Sequence, residues 1–188
     1  QVAGSNGKGS TARMLEAICL AADLDVGLYT SPHLDDVRER VRIDGRSMRE
    51  ATLVEFVEAA GPYLTDEAAA GDSPTFFETV TAMALWTFGR RDVDVAILEV
   101  GIGGTHDATS VVDPVASAVT NVAPQHTRLL GDDVGTIARD LAGVAPAARP
   151  LVTAATGDSL AAIRDAVGDI SLVGTERTGA TGDGGRAV

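Results

Sequence analysis

Apolar residues recur along this chain with two different periods, and the two periods alternate. From Thr11 to Asp23, the apolar positions Met14, Leu15, Ile18, Cys19 and Ala22 fall at helical spacing and predict a helix that buries that face. Asp25–Thr30 is short and β-prone and predicts a buried strand. After a loop at Ser31-Pro32-His33-Leu34, the alternating stretch Arg38–Asp44 predicts a short strand closed by an Asp44-Gly45 turn. Helices are expected over Leu53–Tyr63 and Thr75–Arg91, with a loop over Asp66–Pro74 between them. The second helix turns Phe77, Val80, Ala84, Leu85 and Phe88 inward. Val93–Val100 is a nearly continuous apolar run, the mark of a strand covered on both faces, and Val115–Val122 reads the same way. Pro124–Gly131 reads as a loop. Asp132–Ala147 predicts a helix capped by Asp132 or Asp133, Leu151–Thr153 a strand, Ser159–Val167 a helix and Ile170–Val173 a last strand.

Strands alternating with helices predict an α/β fold: a doubly wound, mostly parallel sheet with helices on both faces. In such sheets ligands bind outside the carboxyl ends of the strands. Four loops are expected on that edge: Gly4–Ser10, Ser31–Leu34, Gly101–Ala108 and Gln125–Thr127. One domain is expected over 1–175, followed by a Gly-rich tail over 176–188. Gln1-Val2 reads as the last residues of a strand and no initiator Met is present, so the chain reads as a fragment.

Charge narrows the ligand classes. The 188 residues carry a formal net charge of −12, from 27 acidic and 15 basic residues. Such a surface repels nucleic acid and anionic membranes, and an anionic ligand needs a local positive trap. Asp outnumbers Glu and lysine is nearly absent, which suits a salt-rich cytoplasm; a GC-rich genome also favours arginine over lysine. Cys19 is the one cysteine, so no internal disulfide forms and a cytoplasmic location is expected, with Cys19 as a small core residue. No stretch is long and apolar enough to span a bilayer.

The trap is expected in Val2–Thr11, reading VAGSNGKGST, where Gly4, Gly7 and Gly9 surround the sole lysine, Lys8. Glycines let backbone N–H groups approach an anion, and the following helix aims its positive end there. Gly7, Lys8, Gly9, Ser10 and Thr11 therefore read as a variant phosphate-binding loop, since the strict pattern needs a glycine at Val2 and a hydroxyl at Gly9. Glu99 closes an otherwise apolar strand, where a carboxylate is costly unless a cation or several donors meet it. His126 follows another strand and can ligate a metal; Ser31 can bring a hydroxyl to the same ion. His33 reads as structural or exposed. Phe76, Phe77 and Glu78 read as core residues plus a first-turn acid, or as a wall for a flat ligand. Asp107 serves a ligand or its own turn. Arg38, Arg40 and Arg42 read as solvated edge charges or an anion-facing row.

In one order the chain carries GSNGKGST, TSPHL with RERVRIDG, TFFE, LEVGIGGTHDATSVVDP and QHTRLLGDDVGTIARDLAG. Together these resemble folylpolyglutamate synthase/dihydrofolate synthase, of the Mur ligase superfamily, over roughly Val2 to Thr153. The resemblance implies an ATP-dependent carboxylate–amine ligase that joins L-glutamate to dihydropteroate or a folate through an acyl phosphate. It implies that Gly7, Lys8, Gly9 and Ser10 grip the ATP phosphates. Ser31, Glu99 and His126 are implied to hold Mg2+, with Glu99 shared between two ions. Thr75, Phe76, Phe77, Glu78, His106, Asp107 and Ala108 match stretches that face the pterin. The family usually has Asp at the position of Gln125, Arg-Leu at Thr105-His106, and a lysine, often carbamylated, at Leu141. Leucine supplies no oxygen to a second metal. The family's C-terminal domain, which brings the glutamate site, is not matched by this sequence, and a fragment lacking it is expected to be inactive.

Overall fold

A computed structural model describes residues 1–146, 149–167 and 172–174. In chain order the elements are β1 (Val2–Ala3), α1 (Lys8–Ala21), β2 (Val26–Tyr29), β3 (Val41–Ile43), β4 (Arg46–Ser47), α2 (Glu50–Ala70) and α3 (Phe76–Arg91). They continue with β5 (Val95–Leu98), β6 (Ser117–Val119), α4 (Thr127–Leu130), α5 (Val134–Ala142), β7 (Leu151–Thr153), α6 (Gly157–Val167) and β8 (Leu172–Gly174).

The strands form two four-stranded sheets, β4-β3-β2-β5 and β1-β6-β7-β8. A parallel bridge between Val2 and Glu99, and a bond from Val100 N–H to the Val2 carbonyl at 2.9 Å, join β5 to β1. The result is one surface, parallel except for the β3–β4 hairpin at one edge. Successive strand residues face opposite sides. Val2, Val26, Leu28 and Ile97 pack with Ala12 of α1 on one side. Tyr29 and Leu98 pack against α3, and Ala3, Val119 and Leu151 against α5 and α6, on the other. This is the doubly wound arrangement that the alternating pattern predicts.

Several expectations need correcting. Helix α1 does not bury the face chosen from spacing: Met14 and Ile18 are each 65% exposed, and the residues fully inward are Ala12 and Glu16. The small Ala12 allows close approach to the sheet. Glu16 is tolerated because Arg42 Nε donates to its Oε1 at 3.0 Å, with Arg13 at 3.8 Å. Cys19 is partly buried against that cluster. Arg38–Asp44 is not one strand: Val37–Arg40 forms a 3-10 turn capped by Asp36, and only Val41–Ile43 is extended. The Asp44-Gly45 turn forms as expected, both residues at positive φ. Helix α2 runs through Pro62 and into the expected loop as far as Ala70, because the acid- and alanine-rich stretch after Pro62 favours helix. Helix α4 occupies part of the Pro124–Gly131 loop, and β6 is shorter than Val115–Val122. Asp133, one of the two proposed residues, caps α5. The tail 176–188, Ile170 and Ala147 lie outside the described residues. Among the described residues no helix is long and apolar enough to cross a membrane.

Candidate functional site

The loop between β1 and α1 is held from below by the strand end next to it. Asn6 N–H donates to Asn121 Oδ1 at 2.8 Å, and Ser5 N–H to the Asn121 carbonyl at 3.0 Å. Ser5 Oγ donates to the Ala123 carbonyl and accepts from Ala123 N–H. Thr120 Oγ1 donates to the Asn6 carbonyl at 2.7 Å, and Gln125 Nε2 to Asn6 Oδ1 at 3.0 Å. Gly4, at φ +131°, lies so close to Thr120 that a Cβ there would be 2.1 Å from its Oγ1. None of Thr120, Asn121 or Ala123 stands out in the sequence; a polar pair directly after an apolar strand was the available signal. Gln125, marked only as a departure from the family pattern, is one of these clamps.

The clamped loop delivers the start of α1. Gly7 precedes it in the left-handed conformation with no side-chain cap; Thr11 N–H donates to the Gly7 carbonyl at 2.9 Å, and Gly9 N–H is directed at Glu99. Lys8 Nζ rests on the Gly4 carbonyl at 3.0 Å. Glu99, 5% exposed, faces the same turn. Its Oε2 accepts from Ser31 N–H at 2.9 Å, and Gly9 is close enough that a Cβ there would lie 3.3 Å from Oε1. Burial pushes the Glu99 carboxyl above its ordinary range, against the pull of Ser31 N–H, the Lys8 charge, Gly9 N–H and Arg13. A groove of about 590 Å³ runs from here between α1 and the β2 loop, lined by Gly9, Ser10, Ser31 and Glu99 among others.

His126 stands at φ +53° before α4, exposed at the edge of this loop cluster. With Lys8, Gln125 and Leu141 it lines a cleft of about 10 Å³, room for roughly one water. Lys8 thus lies beside both Glu99 and His126, although the two do not line one cavity. Among the described residues, no three His, Cys, Asp or Glu side chains cluster to hold a metal by themselves. Glu99 and the Ser10 and Ser31 hydroxyls line one groove and offer oxygen donors of the kind Mg2+ takes beside phosphate, whereas the His126 imidazole lies in the neighbouring cleft. A second ion fits poorly. Leu141 is 2% exposed in the core, and Asp140 Oδ2 already accepts from Gly104 N–H at 3.0 Å.

A larger cavity of about 810 Å³ opens on the far side of Ser31 and Pro32, lined by Thr75, Phe77, Glu78, His106, Asp107 and Ala108. Phe77 is its wall, with Gly101 packed so tightly that a Cβ would be 2.5 Å from Phe77 Cζ. Phe76 is not in the wall: it is 58% exposed, edge-on to His33 and under the Arg40 guanidinium at 5.2 Å. Glu78 caps α3, accepting Thr75 N–H and Oγ1–H at 2.7 Å each, and those bonds hold its carboxyl below the ordinary range. Asp107 is spent on its own loop. Oδ2 accepts from Gly101 and Ile102 N–H, and Oδ1 from Thr109 N–H and Oγ1–H, which fills the capacity of a carboxylate. Of the three arginines expected at an edge, Arg38 pairs with Asp36, Arg42 with Glu16, and Arg40 is buried.

No family model matches the chain. Over 175 residues, 93% of its length, the chain is 65% identical to a probable bifunctional folylpolyglutamate synthase/dihydropteroate synthase of Halobacterium salinarum, covering 22% of that protein. It is 46% identical over 153 residues to the dihydrofolate synthase/folylpolyglutamate synthase of Escherichia coli, covering 80% of this chain and 35% of that protein. A solved FPGS–AMPPCP–folate complex superposes with a TM-score of 0.87 at 38% identity, over 94% of this chain and 44% of that one. The chain therefore spans between a fifth and a half of the proteins it matches. Sequence and fold agree that the chain belongs to the folylpolyglutamate synthase/dihydrofolate synthase family of Mur-type ligases, of whose members it matches one part.

Proposed function

We propose that this chain is the ATP-binding portion, over 1–175, of a ligase that joins L-glutamate to dihydropteroate or a folate. The observation that carries the reading is the buried Glu99 carboxylate set against the first turn of α1 beside the sole lysine. A carboxylate desolvated next to an anion-binding turn has a use when a cation is brought in with the anion. Gly7, Gly9, Ser10 and Thr11 offer backbone and hydroxyl donors to the phosphates, and Lys8 exchanges the Gly4 carbonyl for the outer phosphates. Glu99, Ser31 and His126 would hold Mg2+, which supplies charge neutralisation of the β- and γ-phosphates.

The 810 Å³ cavity takes the acceptor, with Phe77 and Ala108 flanking a flat ring and Thr75, Glu78 and His106 at its border. Ser31 and Pro32 border both the phosphate groove and this cavity, so the γ-phosphoryl and the acceptor carboxylate meet there. Attack of the carboxylate oxygen on the γ-phosphorus gives an acyl phosphate and ADP. The amine of glutamate then displaces phosphate. The chain's own contribution is positioning and charge balance. The solved relative holding AMPPCP and folate supports both ligand classes.

The test is a binding and turnover pair. The chain is expected to bind AMPPCP with Mg2+ and to release no ADP with dihydropteroate and glutamate. A longer protein containing it is expected to release ADP only when a pterin acceptor and glutamate are both present. Turnover by the chain alone, or by the longer protein with a non-pterin carboxylate, overturns the reading. A second reading, a nucleotide-binding module of reduced catalytic capacity, is favoured by the buried Leu141 and the engaged Asp140. Absence of activity in the longer protein, with AMPPCP binding retained, would establish it.

A further inference from the structure

Arg40 is 9% exposed, yet among the described residues no carboxylate pairs with it, while Arg13, Arg38, Arg42, Arg90 and Arg149 each have one. Its immediate neighbours are neutral or aromatic. Nε donates to His33 Nδ1 at 2.7 Å, the guanidinium reaches the Tyr29 phenol, and Phe76 lies beneath it. A buried guanidinium without a counter-charge is costly, and a fold retains one where an anion arrives to complete it.

The cavity gives an anion a direction from which to arrive. Arg40 lines the 810 Å³ cavity and is the one lysine or arginine among its described lining residues. The cavity's carboxylates are engaged elsewhere: Glu78 by Thr75, Asp107 by four donors, and Asp140 by Gly104. Arg40 is also fixed in place. Its carbonyl accepts from Thr30 N–H at 2.9 Å, which puts it one residue from Ser31, where the cavity meets the phosphate groove. The turn carrying it is pinned by Glu39, whose carboxylate gathers the N–H groups of Leu34, Asp35 and Asp36.

We infer that Arg40 binds the carboxylate of the acceptor. A planar guanidinium matches a carboxylate bidentately, and stacking on Phe76 keeps its plane fixed for that purpose. In a chain of net charge −12, this cation lets an anionic acceptor enter a cavity bordered by acids. The inference rests on the ligase reading for the identity of the acceptor, and on the buried unpaired charge alone for the existence of an anion site.

The experiment titrates dihydropteroate and its neutral carboxamide into the chain with Mg2+ and AMPPCP present, as wild type, Arg40→Met and Arg40→Lys. Wild type is expected to prefer the acid at least tenfold, Arg40→Met to lose that preference, and Arg40→Lys to keep part of it, with AMPPCP affinity unchanged throughout. An Arg40→Met chain that binds AMPPCP normally and still prefers the acid overturns the inference. A separate probe, p-aminobenzoate, is followed through the Arg40 Nε–H resonance of the wild-type chain. A saturable shift there with no pterin binding removes the pterin reading and keeps the anion site. No shift from either carboxylate removes the anion site, whatever the fate of Arg40→Met.

Discussion

Ser31 N–H donates to Glu99 Oε2 at 2.9 Å, tying the loop after β2 to the end of β5. The bond orients the carboxylate but does not offset its burial, since desolvation remains the largest influence and the carboxyl sits above its ordinary value of 4.5. A raised carboxyl means that the folded chain binds the proton more tightly than the unfolded one. Stability from Glu99 is therefore full below that ordinary value and is lost as pH rises through the raised folded value. Glu99→Gln is expected to stabilise the ligand-free chain at neutral pH by about 1 kcal/mol and to flatten this part of the pH profile. The same change is expected to abolish Mg2+-dependent AMPPCP binding. Thermal melts across pH, with and without the nucleotide, check both halves.

Metal stoichiometry follows from α5. Leu141 is buried among Ile137, Ala138 and Ala142, and Asp140 is committed to Gly104. With AMPPCP present, Mn2+ titration followed by electron paramagnetic resonance is expected to give one tightly held ion per chain. Two would contradict the reading of this site. Leu141→Lys is expected to cost the ligand-free chain about 2–4 kcal/mol, because it places an unpaired charge in a core position.

Gly101→Ala tests the acceptor cavity, because the added methyl points at Phe77 and Asp107 and not at the loop before α1. The new methyl would lie 2.5 Å from Phe77 Cζ and 3.0 Å from Asp107 Oδ2, so the ring and the loop must both move. Dihydropteroate affinity is expected to fall at least tenfold, a change of about 1.4 kcal/mol, with AMPPCP affinity within twofold of wild type. Calorimetric titration of each ligand distinguishes this from general unfolding.

The helix caps give a prediction at the level of stability alone. Thr75 and Glu78 satisfy each other's backbone N–H donors at the start of α3, and at α5 Asp133 accepts both the N–H and the Oγ1–H of Thr136. Thr75→Ala is expected to cost about 1 kcal/mol in denaturant unfolding, and Asp133→Ala to lower the unfolding midpoint. Both acids sit below their ordinary values, so their contribution is present above that range and fades as pH falls through the lowered folded values.

The sheet was legible because its strands are apolar on both faces, as Val26, Leu28, Tyr29, Ile97 and Leu98 show. The Gly-rich turn into α1 was legible because glycines around a lone lysine break both the strand and the helix period. The inward face of α1 was not, since spacing favours Met14 and Ile18 while the real contacts are made by Ala12 and by Glu16, which is buried only because Arg42 reaches it from β3. That partner lies 26 residues away, and no local pattern announces it. Arg40 was hidden for the same reason: alternation with Arg38 and Arg42 suggested an edge, while the 3-10 turn at Val37–Arg40 rotates it inward. Asp107 and Glu78 carry the residue types of a binding site, but their oxygens are occupied within their own loop and cap.

Among the described residues the two half-sheets meet through one bridge, Val2 to Glu99, and the acid on that bridge is the one that faces α1. Occupancy of the groove is therefore expected to be felt at this junction. When the carboxylate is drawn toward a bound cation, the Val100 amide that clasps Val2 should be the first to slow its exchange with deuterated solvent. That amide is a built-in gauge, able to report from one backbone position whether the molecule is loaded.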